Sequence, residues 1–91
     1  MPNLSRTVTI RNKLGLHARA ATKLAKLCHQ FDASIKIRQD GKEVDASSVM
    51  CLMLLASQQG RQIDILTTGP EAEAALNAVE QLIEAKFDEE A

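Results

Sequence analysis

A histidine and an arginine lie two residues apart in the segment KLGLHARAATKL, residues 13–24. The imidazole of His17 can act as a nucleophile, and the guanidinium of Arg19 can donate paired hydrogen bonds to phosphate oxygens. Gly15, just before them, permits a sharp turn of the backbone. This combination suits chemistry on an anion, although a lone histidine at the start of a helix is more often a polar surface residue.

The hydrophobic period of the chain changes at this histidine. Residues 6–11 alternate polar and apolar side chains, which is typical of a half-buried strand with Val8 and Ile10 on one face. From His17 onward, apolar residues recur every three or four positions, which predicts a helix. The residues of this apolar face are Ala21, Leu24, Leu27, Cys28 and Phe31.

The start of the predicted helix favours a bound anion. The first backbone N–H groups of a helix have no internal partner and carry partial positive charge, so together with Arg19 they can bind a phosphate. The same positive charges disfavour the imidazolium form of His17 and favour the neutral, nucleophilic ring. A histidine placed there can accept a phosphoryl group and release it again.

Three further strands are predicted, which gives a sheet of four. Alternation indicates strands at residues 33–38 and 61–67. The pair Asp40-Gly41 predicts a tight hairpin turn into a short strand at residues 42–45. The inward-facing residues of these strands are Ile35, Ile37, Val44, Ile63 and Ile65.

Two further helices complete the predicted elements. The N-cap candidates of the second helix are Asp45, Ser47 and Ser48. This helix is predicted to end near Ser57, with Gly60 as its stop. The last helix opens at Pro70, and the tail at residues 87–91 is predicted to be frayed. The apolar stripe of the last helix consists of Leu76, Val79, Leu82, Ile83 and Phe87.

The order of these elements is β-α-β-β-α-β-α, in a single domain over residues 1–91. Each strand has only one apolar face, and a sheet with one buried face is typically antiparallel with helices covering that face. We therefore predict an α+β fold, an open-faced β-sandwich with a four-stranded antiparallel sheet.

Composition disfavours nucleic acid as a partner. The net charge is −1, and Phe31 and Phe87 are the only aromatic residues. Proteins that bind nucleic acids usually carry a basic excess for phosphates and aromatic rings for stacking on bases. A nucleic-acid-binding module is thus the weakest of the functions considered.

The remaining motifs indicate neither a metal centre nor an ordinary enzyme. Cys28, His29 and Cys51 lack metal-ligand spacing, and no HExxH, P-loop or GxSxG pattern is present. We therefore expect no metal and no cofactor. The longest apolar run, residues 49–56, is too short to span a bilayer, and the first ten residues lack a signal-peptide pattern. We expect a cytoplasmic protein without a membrane partner.

The segment GLHARAA, followed by an amphipathic helix, resembles the active-site signature of the HPr phosphocarriers. These are small histidine-containing proteins of the bacterial phosphoenolpyruvate-dependent phosphotransferase system. The resemblance covers essentially the whole chain. The segments NKLGLHARAA, FDA, GRQIDI, TGPEAEAAL and FDEE look closer to the nitrogen-related branch, NPr, and the sugar-transport HPr is the alternative.

This resemblance implies roles for three residues. His17 would accept a phosphoryl group on Nδ1 from phosphorylated Enzyme I, ultimately from phosphoenolpyruvate, and pass it to an EIIA-type protein. Arg19 would steady the phosphoryl group. Ser48 would be the regulatory serine, which a dedicated serine kinase phosphorylates in some bacteria. The family fold has sheet order 1-4-2-3 with three helices on one face, and we expect a monomeric carrier that is not itself an enzyme.

One residue departs from the family pattern, and one surface is open to two interpretations. The family usually has proline after the arginine, where this chain has Ala20. We expect partners to dock on a surface formed by Leu16, Ala20, Met50 and Met53, since methionine adapts to several partners. In the alternative, the second helix only completes the core, through Val49, Leu52, Leu55 and Ala56. A non-catalytic regulatory module that binds partners through its Met-rich helix is the alternative function.

Overall fold

The computed structural model describes residues 3–89 and has the predicted order of elements. The strands are β1 (Asn3–Thr9), β2 (Ser34–Gln39), β3 (Lys42–Asp45) and β4 (Gln62–Thr68). The helices are α1 (Ala18–Cys28), α2 (Val49–Leu55) and α3 (Ala72–Glu84), and a 3₁₀ turn, η1 (Lys86–Asp88), follows α3.

The four strands form one antiparallel sheet in the order β1-β4-β2-β3. Because side chains alternate along a strand, the apolar residues share one face, and the helices pack on that face. The sheet contributes Val8, Ile35, Ile37, Ile63 and Ile65 to the core, as predicted. The α+β open-faced sandwich and its strand order are confirmed.

The first strand lies earlier in the chain than predicted. It begins at Asn3, which pairs with Thr68, and ends at Thr9 rather than at residue 11. Pairing with β4 supplies partners for its polar first residues, a long-range effect that alternation does not reveal. Ile10 is nevertheless buried, because its N–H and carbonyl bond to Arg61 and Gly60 beside the strand.

The hairpin between β2 and β3 is confirmed. Asp40 and Gly41 have φ values of +52° and +81° and connect Gln39 directly to its partner Lys42. Positive φ at both central residues is the conformation that matches the twist of a two-residue hairpin.

The second helix ends earlier than predicted, and Gly60 is not its stop. The last residue is Leu55, and Ala56 adopts the left-handed conformation with φ +53°. Ser57 is buried and its hydroxyl donates to Gln39 Oε1 at 2.6 Å, which draws the chain away from the helical path. Ala56 is consequently exposed, so the alternative interpretation of α2, which placed Ala56 in the core, is wrong for this residue.

The last helix and the tail also differ from the prediction. Helix α3 begins at Ala72, so Pro70 precedes it. Phe87 lies beyond α3 in a turn where residues 86–88 have positive φ, yet its side chain is 0% exposed. The prediction of a frayed tail is therefore wrong for residues 87–89. Residues 90–91 lie outside the described part of the chain. Within residues 3–89, no helix has the length and apolar character needed to cross a membrane.

Candidate functional site

The loop before α1 is fixed against the segment that follows α2. Gly15 has φ +68°, and a Cβ on it would lie 2.4 Å from the carbonyl oxygen of Ser57. The next residue, Leu16, donates its N–H to that same oxygen at 2.8 Å. Glycine is required here both for its conformation and for this close approach. These contacts therefore fix the position of His17 relative to the segment after α2.

His17 is the N-cap residue of α1. Its backbone is extended, and its carbonyl accepts the N–H of Ala21 at 2.8 Å. Its side chain also caps the helix, because Nδ1 accepts the N–H of Arg19 at 3.3 Å. An N-cap side chain normally supplies an oxygen lone pair, and here the lone pair of an imidazole nitrogen takes that part. Nδ1 therefore faces the positive end of the helix without a proton.

The other ring nitrogen of His17 contacts a residue from the far end of the chain. Nε2 lies 2.5 Å from Oε2 of Glu89, whose side chain is only 11% exposed. A carboxylate can only accept hydrogen bonds, so Nε2 carries the proton of this pair. The two contacts of the ring agree on one arrangement, with Nε2 protonated and the unprotonated Nδ1 accepting the N–H of Arg19.

Glu89 is held by more than the histidine. Asn12 is fully buried, and its Nδ2 donates to the carbonyl of Gly15 at 2.7 Å and to Oε1 of Glu89 at 3.1 Å. Lys23 donates to the carbonyl of Phe87 at 2.8 Å, just before Glu89 in the chain. Both oxygens of the Glu89 carboxylate thus have a donor, and its backbone is anchored to α1.

The surroundings of Glu89 favour its charged form. Burial raises the pKa of its carboxyl, but the hydrogen bonds from His17 and Asn12 and the positive charge of Arg19 outweigh burial. The net effect holds the pKa of Glu89 below its usual range. Glu89 is therefore an anion at neutral pH.

An open cleft borders the imidazole ring. It is lined by Lys13, Leu14, Ala18, Arg19 and Asp88 around His17 and Glu89. Arg19 is exposed on its edge. Since the first amides of α1 also lack carbonyl partners within the helix, an anion bound beside Nδ1 would have backbone and side-chain donors together. The predicted pairing of His17 with Arg19 at a helix start is thus present in space.

Part of the predicted docking surface is wrong. Leu16 and Ala20 are 4% and 0% exposed, because the chain turns their side chains into the hydrophobic core. A side chain inside the core offers no surface to a partner.

The large exposed apolar residues form a different set, which we call the docking patch. Met50 and Met53 are 75% and 46% exposed, as the docking hypothesis requires, while Leu52 and Leu55 of the same helix are buried. Leu14 and Leu54, which the sequence prediction did not include, are also exposed. The docking patch consists of Leu14, Met50, Met53 and Leu54. Leu14 and Met53 line one shallow depression together with His17.

Ser48 caps α2. Its Oγ accepts the N–H of Cys51 at 3.3 Å, and its backbone is extended. Of the three N-cap candidates, the structure selects Ser48. Asp45 instead accepts the N–H and the hydroxyl of Ser47 in a local turn.

The cysteines and the second histidine form no site in the described part of the chain. Residues 3–89 contain no group of three or more His, Cys, Asp or Glu side chains that could hold a metal ion. Cys28 is buried, and burial, followed by the charge of Asp45, raises the pKa of its thiol to about 12. Such a thiol is unreactive, so Cys28 acts as a small core residue.

The structure is a small α+β domain with His17 at the start of its first helix, and comparison with known proteins identifies its family. Residues 4–85 match the family model described as "PTS HPr component phosphorylation site". The chain therefore belongs to the HPr family of phosphocarrier proteins of the phosphotransferase system.

Relatives of the chain include proteins named NPr and proteins named HPr. It is 54% identical to the phosphocarrier protein NPr of Shewanella violacea, over 98% of each chain. It is 49% identical to NPr of Escherichia coli, over 96% of this chain and 98% of that protein. It is 43% identical to the phosphocarrier protein HPr of Cupriavidus necator, over 94% and 97%. The resemblance to HPr phosphocarriers and to NPr proteins is confirmed.

Solved structures share the whole fold. HPr from Thermoanaerobacter tengcongensis superposes with a TM-score of 0.92 at 38% identity, over 97% of this chain and 99% of that one. HPr from Bacillus anthracis superposes with a TM-score of 0.86 at 38% identity, over 89% and 96%. These likenesses extend across the sheet and its helical layer.

Proposed function

We propose that this protein carries a phosphoryl group on Nδ1 of His17. It receives the group from a phosphorylated Enzyme I-type protein, ultimately from phosphoenolpyruvate, and delivers it to an EIIA-type protein. One observation carries the proposal: the side chain of His17 caps α1, so that the lone pair of Nδ1 faces the positive end of the helix.

The transfer follows from this geometry. The Nδ1 lone pair attacks phosphorus in line with the donor atom, whose bond to phosphorus breaks while that atom keeps the electron pair. The N–H of Arg19, which bonds Nδ1 in the resting site, becomes a donor to a phosphoryl oxygen. Arg19 lines the same cleft, and its guanidinium can donate further hydrogen bonds to the phosphoryl oxygens. Positioning and charge stabilisation are sufficient for this chemistry, which needs no cofactor.

The docking patch suits a carrier that meets two partners in turn. Exposed Met50 and Met53 present flexible side chains, and Leu14 extends the patch to the rim of the His17 site. A surface of adaptable apolar side chains can pack against different partners. We propose that both the donor and the acceptor dock on this patch. The protein then acts as a soluble cytoplasmic monomer.

The nitrogen-related regulatory branch is the proposed setting. The two relatives named NPr share 54% and 49% of their residues with this chain, compared with 43% for the HPr of Cupriavidus necator. In this setting the acceptor is the EIIA-type protein of a regulatory relay rather than of sugar uptake. The protein is a phosphorylated intermediate that is regenerated, not a catalyst with a small-molecule pocket.

Ser48 is proposed as a site of regulation by a serine kinase. Its hydroxyl is half-buried, and two positions further on lies Met50 of the docking patch. A phosphate on Ser48 would add about two negative charges beside this apolar surface. Docking of partners would weaken, while the helix cap itself would persist as a phosphate at a helix start.

The experiment uses phosphoenolpyruvate, magnesium and Enzyme I as the phosphoryl source. The protein should gain an acid-labile, base-stable phosphate, as expected for phosphohistidine. The His17→Ala variant should gain none, whereas His29→Ala, which removes the chain's second histidine, should be phosphorylated like the wild type. Absence of incorporation from Enzyme I, or incorporation that survives in His17→Ala, would contradict the proposal.

A further inference from the structure

We propose that Glu89 is a positioning residue for phosphoryl transfer, which holds the proton of His17 on Nε2 and so keeps Nδ1 as the attacking atom. This inference rests on the proposed function, since it concerns the same histidine. It assigns a role to the tail after α3, a segment that the family signature around His17 does not include.

The contacts of the imidazole ring carry the inference. Glu89 Oε2 lies 2.5 Å from Nε2, and the backbone N–H of Arg19 lies 3.3 Å from Nδ1. One nitrogen thus faces an acceptor and the other faces a donor. A neutral imidazole has one proton, and only the form with that proton on Nε2 satisfies both contacts. The structure therefore selects a single tautomer of His17.

The tail is built to place this carboxylate. Phe87 is 0% exposed and anchors the turn in the core, and the N–H of Glu89 donates to the carbonyl of Lys86 at 3.0 Å. Lys23 of α1 donates to the carbonyl of Phe87 at 2.8 Å. Asn12 then binds the second carboxylate oxygen at 3.1 Å. A side chain held at both its backbone and its second oxygen keeps its orientation when the ring reacts.

Glu89 also lies on the correct side of the ring for this role. It occupies Nε2, while the phosphoryl group is proposed to bind Nδ1 at the helix start, so the carboxylate does not take the place of the phosphate. Arg19 lies close enough to Glu89 to lower the pKa of its carboxyl. A cation shared between the two anionic groups reduces their repulsion.

The proton that Glu89 holds matters in both directions of transfer. In the forward step, Nδ1 forms the bond to phosphorus, and the donor atom leaves with its electron pair. The Nε2 proton stays on the ring, which becomes positively charged against the Glu89 carboxylate. In the reverse step, the N–P electron pair returns to Nδ1 and the ring leaves as neutral imidazole. Without the Nε2 proton, the leaving group would be imidazolate, which is a far poorer one.

The first experiment measures the tautomer without any phosphoryl transfer. Long-range ¹H–¹⁵N spectra above pH 8 report which ring nitrogen carries the proton. In the wild type, we expect the His17 proton on Nε2. The Glu89→Gln side chain has one acceptor oxygen where the carboxylate has two, so it cannot give Nε2 and Asn12 an oxygen each. The Glu89→Ala side chain accepts a hydrogen bond from neither. We expect both variants to show a larger fraction of ring with the proton on Nδ1.

The second experiment measures the rate of phosphorylation by Enzyme I and the rate of transfer to an EIIA-type acceptor. We expect both rates to fall about tenfold in Glu89→Ala, the loss of one hydrogen bond to a charged group. Glu84→Gln is the matched control. It neutralises the carboxylate at the end of α3, whose Oε2 lies 2.8 Å from Nε of Arg11. This control should retain the wild-type tautomer and rates.

Two results would overturn the role of Glu89. One is an unchanged His17 tautomer in both Glu89 variants, whose folding is checked by their amide spectra. The other is transfer that is as fast as in the wild type, or faster, since a gain would mean that Glu89 blocks the site. A wild-type protein that Enzyme I does not phosphorylate contradicts the proposed function instead, and the tautomer spectra still decide whether Glu89 positions the ring.

Discussion

The backbone of Gly15 packs directly on the carbonyl oxygen of Ser57, so closely that a Cβ atom on Gly15 would lie 2.4 Å from that oxygen. This contact joins the loop that carries His17 to the segment after α2, the helix that carries Met50 and Met53. His17 and the docking-patch residues of α2, which are Met50, Met53 and Leu54, are therefore held in a fixed relative position, although more than thirty residues separate them in the chain.

Substitution of Gly15 by alanine should be costly for this reason. A positive φ and a clash with fixed backbone act together, so we expect Gly15→Ala to lower the free energy of unfolding by about 3 kcal/mol and to slow phosphorylation. Urea denaturation measures the first effect. Gly41→Ala is the control, because Gly41 also has positive φ but a Cβ there would meet nothing within 4 Å. Its cost should be about 1 kcal/mol, and equal costs at the two positions would refute the role of the contact.

Ala20 should tolerate the proline that the family usually has. Ala20 lies in the first turn of α1, where its N–H has no carbonyl partner within the helix, so proline removes no helical hydrogen bond. We expect Ala20→Pro to keep its fold and to be phosphorylated by Enzyme I at a rate within a few-fold of the wild type. Complete loss of phosphorylation, or a large gain, would show that the residue after Arg19 controls the site.

The carboxyl of Glu89 should titrate below its usual range because of His17. Native contacts lower its pKa, so the carboxylate stabilises the fold above about pH 4.3 and this contribution is lost as the pH falls through the native pKa. The ¹³C shift of the carboxyl against pH gives the midpoint. In His17→Ala the midpoint should rise, since burial remains while the hydrogen bond is lost. Asn12 and Arg19 also act on the carboxyl, and Lys13 and Asp88 line the same cleft.

The same titration can also contradict the contact between Glu89 and His17. An identical midpoint in the wild type and in His17→Ala would mean that Glu89 and His17 do not interact in solution.

Charge placed in the docking patch should weaken both partner reactions. Met50→Glu and Met53→Glu put carboxylates on an exposed apolar surface without disturbing the core. Together they should lower the second-order rates with donor and acceptor about tenfold or more, through weaker binding. Gln81→Glu adds the same charge to an exposed position of α3 and should leave the rates unchanged. Equal effects of Gln81→Glu and the methionine variants would show that the partners do not bind at the docking patch.

Much of the fold was predictable from local pattern. Alternation located the core isoleucines of β2 and β4, and a period of three to four located most of the buried face of α1. The pair Asp40-Gly41 fixed one hairpin. Each of these features depends on residues close together in the chain, which is why periodicity and turn chemistry reveal them.

The features that failed depend on distant contacts. The end of α2 is set by Ser57 bonding to Gln39, eighteen residues earlier, so Gly60 was a misleading signal. The start of β1 is set by its partner β4. Neither partner can be identified from a single segment.

The site itself was predicted in part. His17 and Arg19 could be found because glycine, a change of period and a basic residue coincide within five positions. Glu89 was missed because it lies 72 residues from His17, in an acidic ending that is normally a solvated tail. Leu16 and Ala20 were misplaced because neighbours of a reactive residue in sequence can point to the opposite side of the backbone.

The position of the phosphoryl group on the imidazole ring decides whether Nδ1 of His17 is the atom that accepts phosphate. The protein is labelled with ¹⁵N, phosphorylated with Enzyme I and phosphoenolpyruvate, and examined by ³¹P and long-range ¹H–¹⁵N spectra at neutral pH. We expect phosphorus bonded to Nδ1 of His17. Phosphorus on Nε2 of His17, or on any other residue, would contradict it.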